Sequence, residues 1–88
     1  VLLRFHKDFK KHNSRLSPKL QAKVAFAIKR FGANPFDATL RNHALAGSML
    51  GKRFIDVTGD YRILFEEYEH YTLVLLLDVG THSHLYGE

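Results

Sequence analysis

The stretch that decides the fold runs from His43 to Tyr86 and reads HALAGSMLGKRFIDVTGDYRILFEEYEHYTLVLLLDVGTHSHLY. Three runs in it carry strand signals, and turn residues separate them. Lys52 to Thr58 alternates, with Arg53, Ile55 and Val57 on one side and Lys52, Phe54, Asp56 and Thr58 on the other. Thr58-Gly59-Asp60 predicts a tight hairpin turn. Tyr61 to Tyr68 follows as a strand in which Tyr61, Ile63 and Phe65 oppose Arg62, Leu64 and Glu66. After a turn at Glu67 to His70, Tyr71 to Val79 is almost continuously apolar, which predicts a central strand buried on both faces. Gly80 ends that strand in this reading, and Thr81 to Glu88 is a polar tail carrying His82, His84 and Tyr86.

Working back toward the N-terminus, Phe36 to Ser48 shows no period; it is a connector holding His43, with Gly47 and Gly51 bracketing a bend. Before it, Leu20, Val24, Ala27, Ile28 and Phe31 recur at spacings of three and four and draw one apolar stripe on a helix. Ser17 is a good cap for that helix and Pro18 suits its first turn, where the missing N–H is not needed. Gly32 is its expected stop, and Asn34-Pro35 forbids continuation. His6 to Leu16 has few apolar residues and predicts a weaker, very basic helix; Val1 to Phe5 predicts a short edge strand. The expected architecture is α+β: an N-terminal helical hairpin packed on a mainly antiparallel four-stranded sheet, as one domain over residues 1–88.

Composition narrows the chemistry. The chain has 88 residues, 45% of them hydrophobic, which is enough for a core and argues against global disorder. It has no Cys, so a disulfide framework, a thiolate nucleophile and a Cys-based zinc site are all excluded; this fits a cytoplasmic protein. The longest apolar run, Leu73 to Leu77, is too short to span a bilayer, and Val1-Leu2-Leu3 is followed at once by charge, so no signal peptide is expected. The net charge is +4, from 13 basic and 9 acidic residues. Between residues 4 and 30 Asp8 is the single acid, against nine Lys and Arg. Such a surface favours a polyanion or an acidic protein partner, although a solvated helix face reads the same way.

Cleaving RNA without a metal needs a base for the 2′-OH, an acid for the leaving 5′-oxygen, a cation for the charge on phosphorus and a surface that holds the base. Imidazole titrates near neutrality, guanidinium is a forked permanent cation, and aromatic rings stack on unpaired bases. His43, Asp60, Arg62, His82, His84 and Tyr86 supply this set, with Tyr61 and the basic pair Lys52 and Arg53 as further substrate contacts. His82 and His84 share a side if the chain stays extended past Gly80. Each residue also has a plain structural reading. Any one His can be a solvated surface group, Arg62 can pair with Glu66 or Asp78, Asp60 can be a turn residue, and Tyr86 can pack the tail on the core. His82-x-His84 with His43 or an Asp is a weaker, metal-binding reading. No Gly-rich phosphate loop and no activated Ser is present.

In this order of elements, Asn42-His43-Ala44-Leu45-x-Gly47, then Val57-Thr58-Gly59-Asp60-Tyr61-Arg62-Ile63-Leu64-Phe65, then Gly80-Thr81-His82-Ser83-x-Leu85-Tyr86, the chain resembles the RelE/ParE superfamily of toxins from bacterial toxin–antitoxin pairs. The branch it is most similar to is that of the YafQ-like ribosome-dependent mRNA interferases, and the likeness covers nearly the whole chain. The resemblance implies two helices against a curved antiparallel sheet and mRNA cutting in the ribosomal A site without a metal or other cofactor. It implies that His43 matches the branch's His after the connector, Asp60 its acidic residue after the turn, and Tyr61 the aromatic beside it. His82 then matches the proposed general acid, Tyr86 the base-stacking aromatic, and Arg62 the strand arginine that contacts the scissile phosphate in related members. One position departs: the branch has a second His where this chain has Asp56, a carboxylate that would repel phosphate. The base therefore stays open between His43 and Asp60, and His84 is an extra candidate. The partners implied are the ribosome with its mRNA and a cognate antitoxin; the basic first half and small core suit an acidic, partly disordered one. The alternatives carried alongside are a ParE-like, non-catalytic inhibitor of DNA gyrase and a small His-rich metal-binding or structural domain.

Overall fold

Two apolar faces of one sheet organise the molecule, whose computed structural model describes residues 1–87. Glu88, the end of the expected polar tail, lies outside the described residues. In chain order the elements are β1 (Leu2–Phe5), α1 (Lys7–Ser14), α2 (Pro18–Ala33), β2 (His43–Ala44), β3 (Arg53–Asp56), β4 (Tyr61–Tyr68), β5 (Leu73–Thr81) and the single-turn α3 (His82–Leu85). Short 3-10 turns at Ala38–Leu40 and Gly47–Met49 flank β2. The sheet has five strands in the order β1-β5-β4-β3-β2; β1 runs parallel to β5 and every other pair is antiparallel.

Alternation along the strands sends residues to two cores. Ile55, Ile63, Phe65, Val74, Leu76 and Val79 meet Phe9 of α1 and Val24, Ala27 and Phe31 of α2. Phe31 and Phe65 pack edge to face at 5.0 Å between ring centres. On the opposite face Phe54 and Leu64 are buried under Leu45 and Leu85, with Met49 and Leu77 beside them. This second, smaller core exists because α3 folds back over β4 and β5.

Local signals explain the helices. Ser17 Oγ accepts the Leu20 N–H at 3.2 Å and Pro18 opens α2. The stripe buries Val24, Ala27 and Phe31 against the sheet. His6 caps α1 by accepting the Asp8 N–H at Nδ1, 3.0 Å away. The β3–β4 hairpin closes where Thr58-Gly59-Asp60 places it: Val57 N–H donates to Tyr61 at 2.9 Å, and Thr58 Oγ1 accepts from the N–H groups of Asp60 and Tyr61.

Several details differ from the sequence reading. The β4–β5 turn lies at residues 69–72, so β4 keeps Glu67 and Tyr68 and β5 starts at Leu73 instead of Tyr71. The sheet has a fifth strand, β2, because His43 and Ala44 pair with Phe54 and Arg53. Two residues are too few to show a period, so only the partner strand reveals them. α2 passes Gly32 and stops at Asn34, ahead of the Pro. β5 does not end at Gly80; it runs to Thr81, which pairs with Tyr61, while Gly80 stands opposite Arg62. Finally, the tail is not extended. Thr81 Oγ1 accepts the His84 N–H at 3.2 Å and starts α3, so His82 and His84 diverge instead of sharing a side.

Candidate active site

The α3 face of the sheet gathers aromatic groups around one buried ring. Phe54, on β3, is 1% exposed. The His43 ring stands at 5.9 Å from it, the His82 ring at 6.5 Å and the Tyr86 ring at 5.7 Å, all close to edge-on. His82 and Tyr86 are four residues apart, one turn of α3 and its C-cap, and their rings pack at 4.5 Å. Pairing across the sheet delivers His43, because it is directly opposite Phe54 in the ladder. The short helix delivers the other two.

His43 is held in one tautomer. Its Nδ1 lies 2.7 Å from the carbonyl oxygen of Arg41. A carbonyl can only accept, so Nδ1 carries the proton and donates. In the neutral ring Nε2 then keeps its lone pair. Arg41 can present that carbonyl because its backbone is left-handed, with φ of 50°.

The ladder fixes the neighbours of Arg62. That residue faces Asp56 on one side and Gly80 on the other. Its Nε lies 3.3 Å from Asp56 Oδ1, and the Arg41 Nε lies 3.0 Å from Asp56 Oδ2. The Arg62 contact is an ion pair without a well-aligned hydrogen bond, since Oδ1 accepts none. Arg62 and Asp56 are largely covered, at 19% and 15% exposure, whereas Arg41 is open to solvent. One carboxylate between two guanidiniums leaves a net positive spot, so Asp56 anchors cations here instead of opposing a phosphate by itself. The alternative partners for Arg62, Glu66 and Asp78, are not the ones it takes.

Asp60, Tyr61, Arg62, Thr81 and His82 line a cleft of about 340 Å³ that opens at this end of the sheet. Arg62, His82 and, through the packed rings, Tyr86 therefore belong to one surface. Asp60 is an exposed turn residue on the rim. Lys52 sits one residue before β3, with its N–H and C=O tied to Met49 and Leu45.

Two expected members are elsewhere. Arg53 Nε donates to Asn42 Oδ1 at 2.8 Å, and Asn42 in turn donates to the hydroxyl of Tyr71. Tyr71 packs against the helix-side core, so Arg53 is engaged on the far face, as its odd position in β3 requires. His84 turns away to Asp78 and His12. The sequence reading missed Phe54 as the platform, Arg41 as the second partner of Asp56, and the link from His12 to Asp78. For Phe54 a signal existed: it alternates out of phase with Ile55, and a buried aromatic on the second face implies that something covers it.

The arrangement is that of a known fold. The chain has the RelE/YafQ-like toxin fold, as the solved structures it resembles make plain. YafQ from E. coli strain BL21(DE3) superimposes with a TM-score of 0.78 over 97% of each chain at 21% identity. The toxin–antitoxin complex RelBE2 from Mycobacterium tuberculosis contributes a chain that matches with a TM-score of 0.75 over 92% of this chain and 96% of its own, at 23% identity. The YoeB/ParE toxin from Agrobacterium tumefaciens matches with 0.77 over 93% and 99%, at 15% identity. No family model matches the sequence, and no curated protein matches it. Among the described residues no helix is long and apolar enough to cross a membrane.

Proposed function

We propose that the chain, acting as one domain over residues 1–88, is the toxin of a type II toxin–antitoxin pair and an endoribonuclease that cuts mRNA on the ribosome in the cytoplasm. The observation that carries this reading is the joint position of His43 and His82 against Phe54, next to Arg62. His43 Nε2 takes the proton of a ribose 2′-OH. The freed O2′ bonds to phosphorus in line with the departing O5′ as the P–O5′ bond breaks. Arg62 carries the charge that builds on the non-bridging oxygens, and His82 gives its proton to O5′. The products are a 2′,3′-cyclic phosphate and a 5′-hydroxyl, and no metal enters the balance. The orientation of His43 by the Arg41 carbonyl favours it over Asp60 as the base. Tyr86, exposed beside His82, stacks on a neighbouring base, and Lys52, Tyr61 and Asp60 contact the strand. The strongly basic α1 and α2 surface draws the ribosomal RNA in one state and an acidic antitoxin in the other.

Cleavage of a ribosome-bound message by purified protein tests the reading. His43→Ala and His82→Ala should each lower the rate about 10²- to 10⁴-fold, the usual worth of a positioned acid or base. Both side chains are exposed, so the melting temperature should hold. Equal rates for wild type and His82→Ala would remove His82 as the acid, and no cleavage at all by wild type would leave a non-catalytic toxin.

A further inference from the structure

Asp78 stands between two imidazoles that come from opposite ends of the chain. His12 Nδ1, on α1, lies 2.6 Å from Asp78 Oδ1, and His84 Nε2, on α3, lies 3.3 Å from Asp78 Oδ2. The two rings meet edge to face at 4.6 Å. One donor atom from each residue falls within 4.8 Å of the other two. None of the three lines the cleft that holds Arg62 and His82.

The fold builds this cluster deliberately enough to read. β1 stops where Phe5 pairs with Leu76, and α1 follows at once, so α1 runs beside the rest of β5 and brings His12 to its edge. The Val79 N–H donates to Asp78 Oδ1 at 2.8 Å and fixes the carboxylate. Gly80 makes the room: a Cβ there would collide with Cδ2 of the His84 ring, so that ring can lie where it does only over a glycine.

We propose that His12, Asp78 and His84 form a binding site for a divalent ion of the zinc class. Two imidazole nitrogens and one carboxylate oxygen are the donor set such borderline ions take. Donors around a tetrahedral zinc stand roughly 3.3 Å apart. His12 Nδ1 is 2.6 Å from Oδ1 and His84 Nε2 is 3.3 Å from Oδ2, and one ligand atom from each residue lies within 4.8 Å of the others, so small shifts of the His12 ring and the carboxylate bring the set to that spacing. The fourth position opens on a hollow of about 230 Å³ with Arg15 and Tyr61 on its rim, where water or a small anion completes the shell. The ion ties α1 and β5 to α3, and α3 carries His82 and Tyr86, so loading stiffens the element that presents them. None of the three ligands takes part in the proposed nuclease chemistry, so the site stands or falls apart from that reading.

Zinc chloride titrated calorimetrically into the full chain tests the proposal. One ion should bind per chain. His12→Gln, His84→Gln and Gly80→Ala should each weaken binding at least tenfold, the last without removing a donor. His43→Gln and His82→Gln should leave the affinity within twofold. Zinc should raise the melting temperature of wild type by several degrees and not that of His84→Gln. Should a variant fail to fold by circular dichroism, the ¹⁵N shifts of the His12 and His84 rings in wild type carry the test, and both should move on zinc addition. No binding, binding lost in His82→Gln but kept in His12→Gln, or shifts confined to other histidines would overturn it.

Discussion

Asp56 and Arg62 face each other directly across the β3–β4 ladder, with the carboxylate oxygen 3.3 Å from the guanidinium Nε. Both side chains are mostly covered, so the pair is screened less than a surface bridge. Arg41 completes it from the other side at 3.0 Å. Asp56 is thus the residue that aims Arg62, and the departure noted at this position has a local counterpart in the two arginines around it.

A double-mutant cycle on Asp56→Ala and Arg62→Ala, read by urea unfolding, should give a coupling of about 1–2 kcal/mol, above the range for exposed pairs. Asp56→Ala should also slow message cleavage about tenfold while retaining the fold, because it frees Arg62 from its orientation. A coupling indistinguishable from zero would mean that the two charges are neighbours without mutual support.

Tyr86 separates stacking from hydroxyl chemistry. Its ring packs on His82 and stands against Phe54, and it makes no hydrogen bond through its hydroxyl among the described residues. Tyr86→Phe should therefore bind a single-stranded ribonucleotide substrate as wild type does. Tyr86→Ala should lose about 1–3 kcal/mol of binding, the worth of one base stacked on an aromatic ring. Equal losses in the two variants would assign the role to the hydroxyl.

The β4–β5 turn holds three successive residues in the left-handed region: Glu69, His70 and Tyr71, with φ of 56°, 53° and 68°. Each costs about 1 kcal/mol relative to glycine there. The turn is secured by the Tyr71 N–H donating to Glu67 Oε1 and by the Thr72 N–H and hydroxyl donating to the Glu69 carbonyl. His70 is exposed, and His70→Gly should raise stability by about 1 kcal/mol in urea unfolding. His70→Ala is the control, and an equal gain there would show that the backbone is not the cause.

Asp37 caps the turn that leads to Arg41. Hydrogen bonds from the Thr39 hydroxyl and then from the Thr39 N–H hold its carboxyl below the usual 3.8, with Arg30 adding a smaller pull. A lowered folded value means a contribution that is complete above 3.8 and lost as the pH falls through the lower folded value. The Asp37 carboxyl carbon followed by NMR should titrate below 3.8 in wild type and move part of the way up toward it in Thr39→Ala, which loses the hydroxyl and keeps the N–H. An unchanged midpoint in that variant would assign the shift to another group.

The elements whose pattern lies within a few neighbouring residues could be read from the chain alone. The period-three-and-four stripe and the Ser17-Pro18 cap defined α2, Thr58-Gly59-Asp60 set the β3–β4 hairpin, and alternation from Tyr61 to Tyr68 gave β4 its bounds. The chemical types that the proposed phosphodiester site calls for, His43, Arg62, His82 and Tyr86, could also be picked out, since composition is local information. What lay beyond reach were the meetings between distant positions. β2 exists only as the partner of β3, Asp56 finds Arg41 as well as Arg62, and His84 leaves His82 because Thr81 starts a helix where an extended tail was expected. Arg53 turns to Asn42, and His12 crosses the molecule to Asp78. Period and capping act through backbone neighbours and leave a trace in the sequence, whereas these contacts arise when separate elements pack, and only the folded arrangement chooses among the partners that charge and shape would allow.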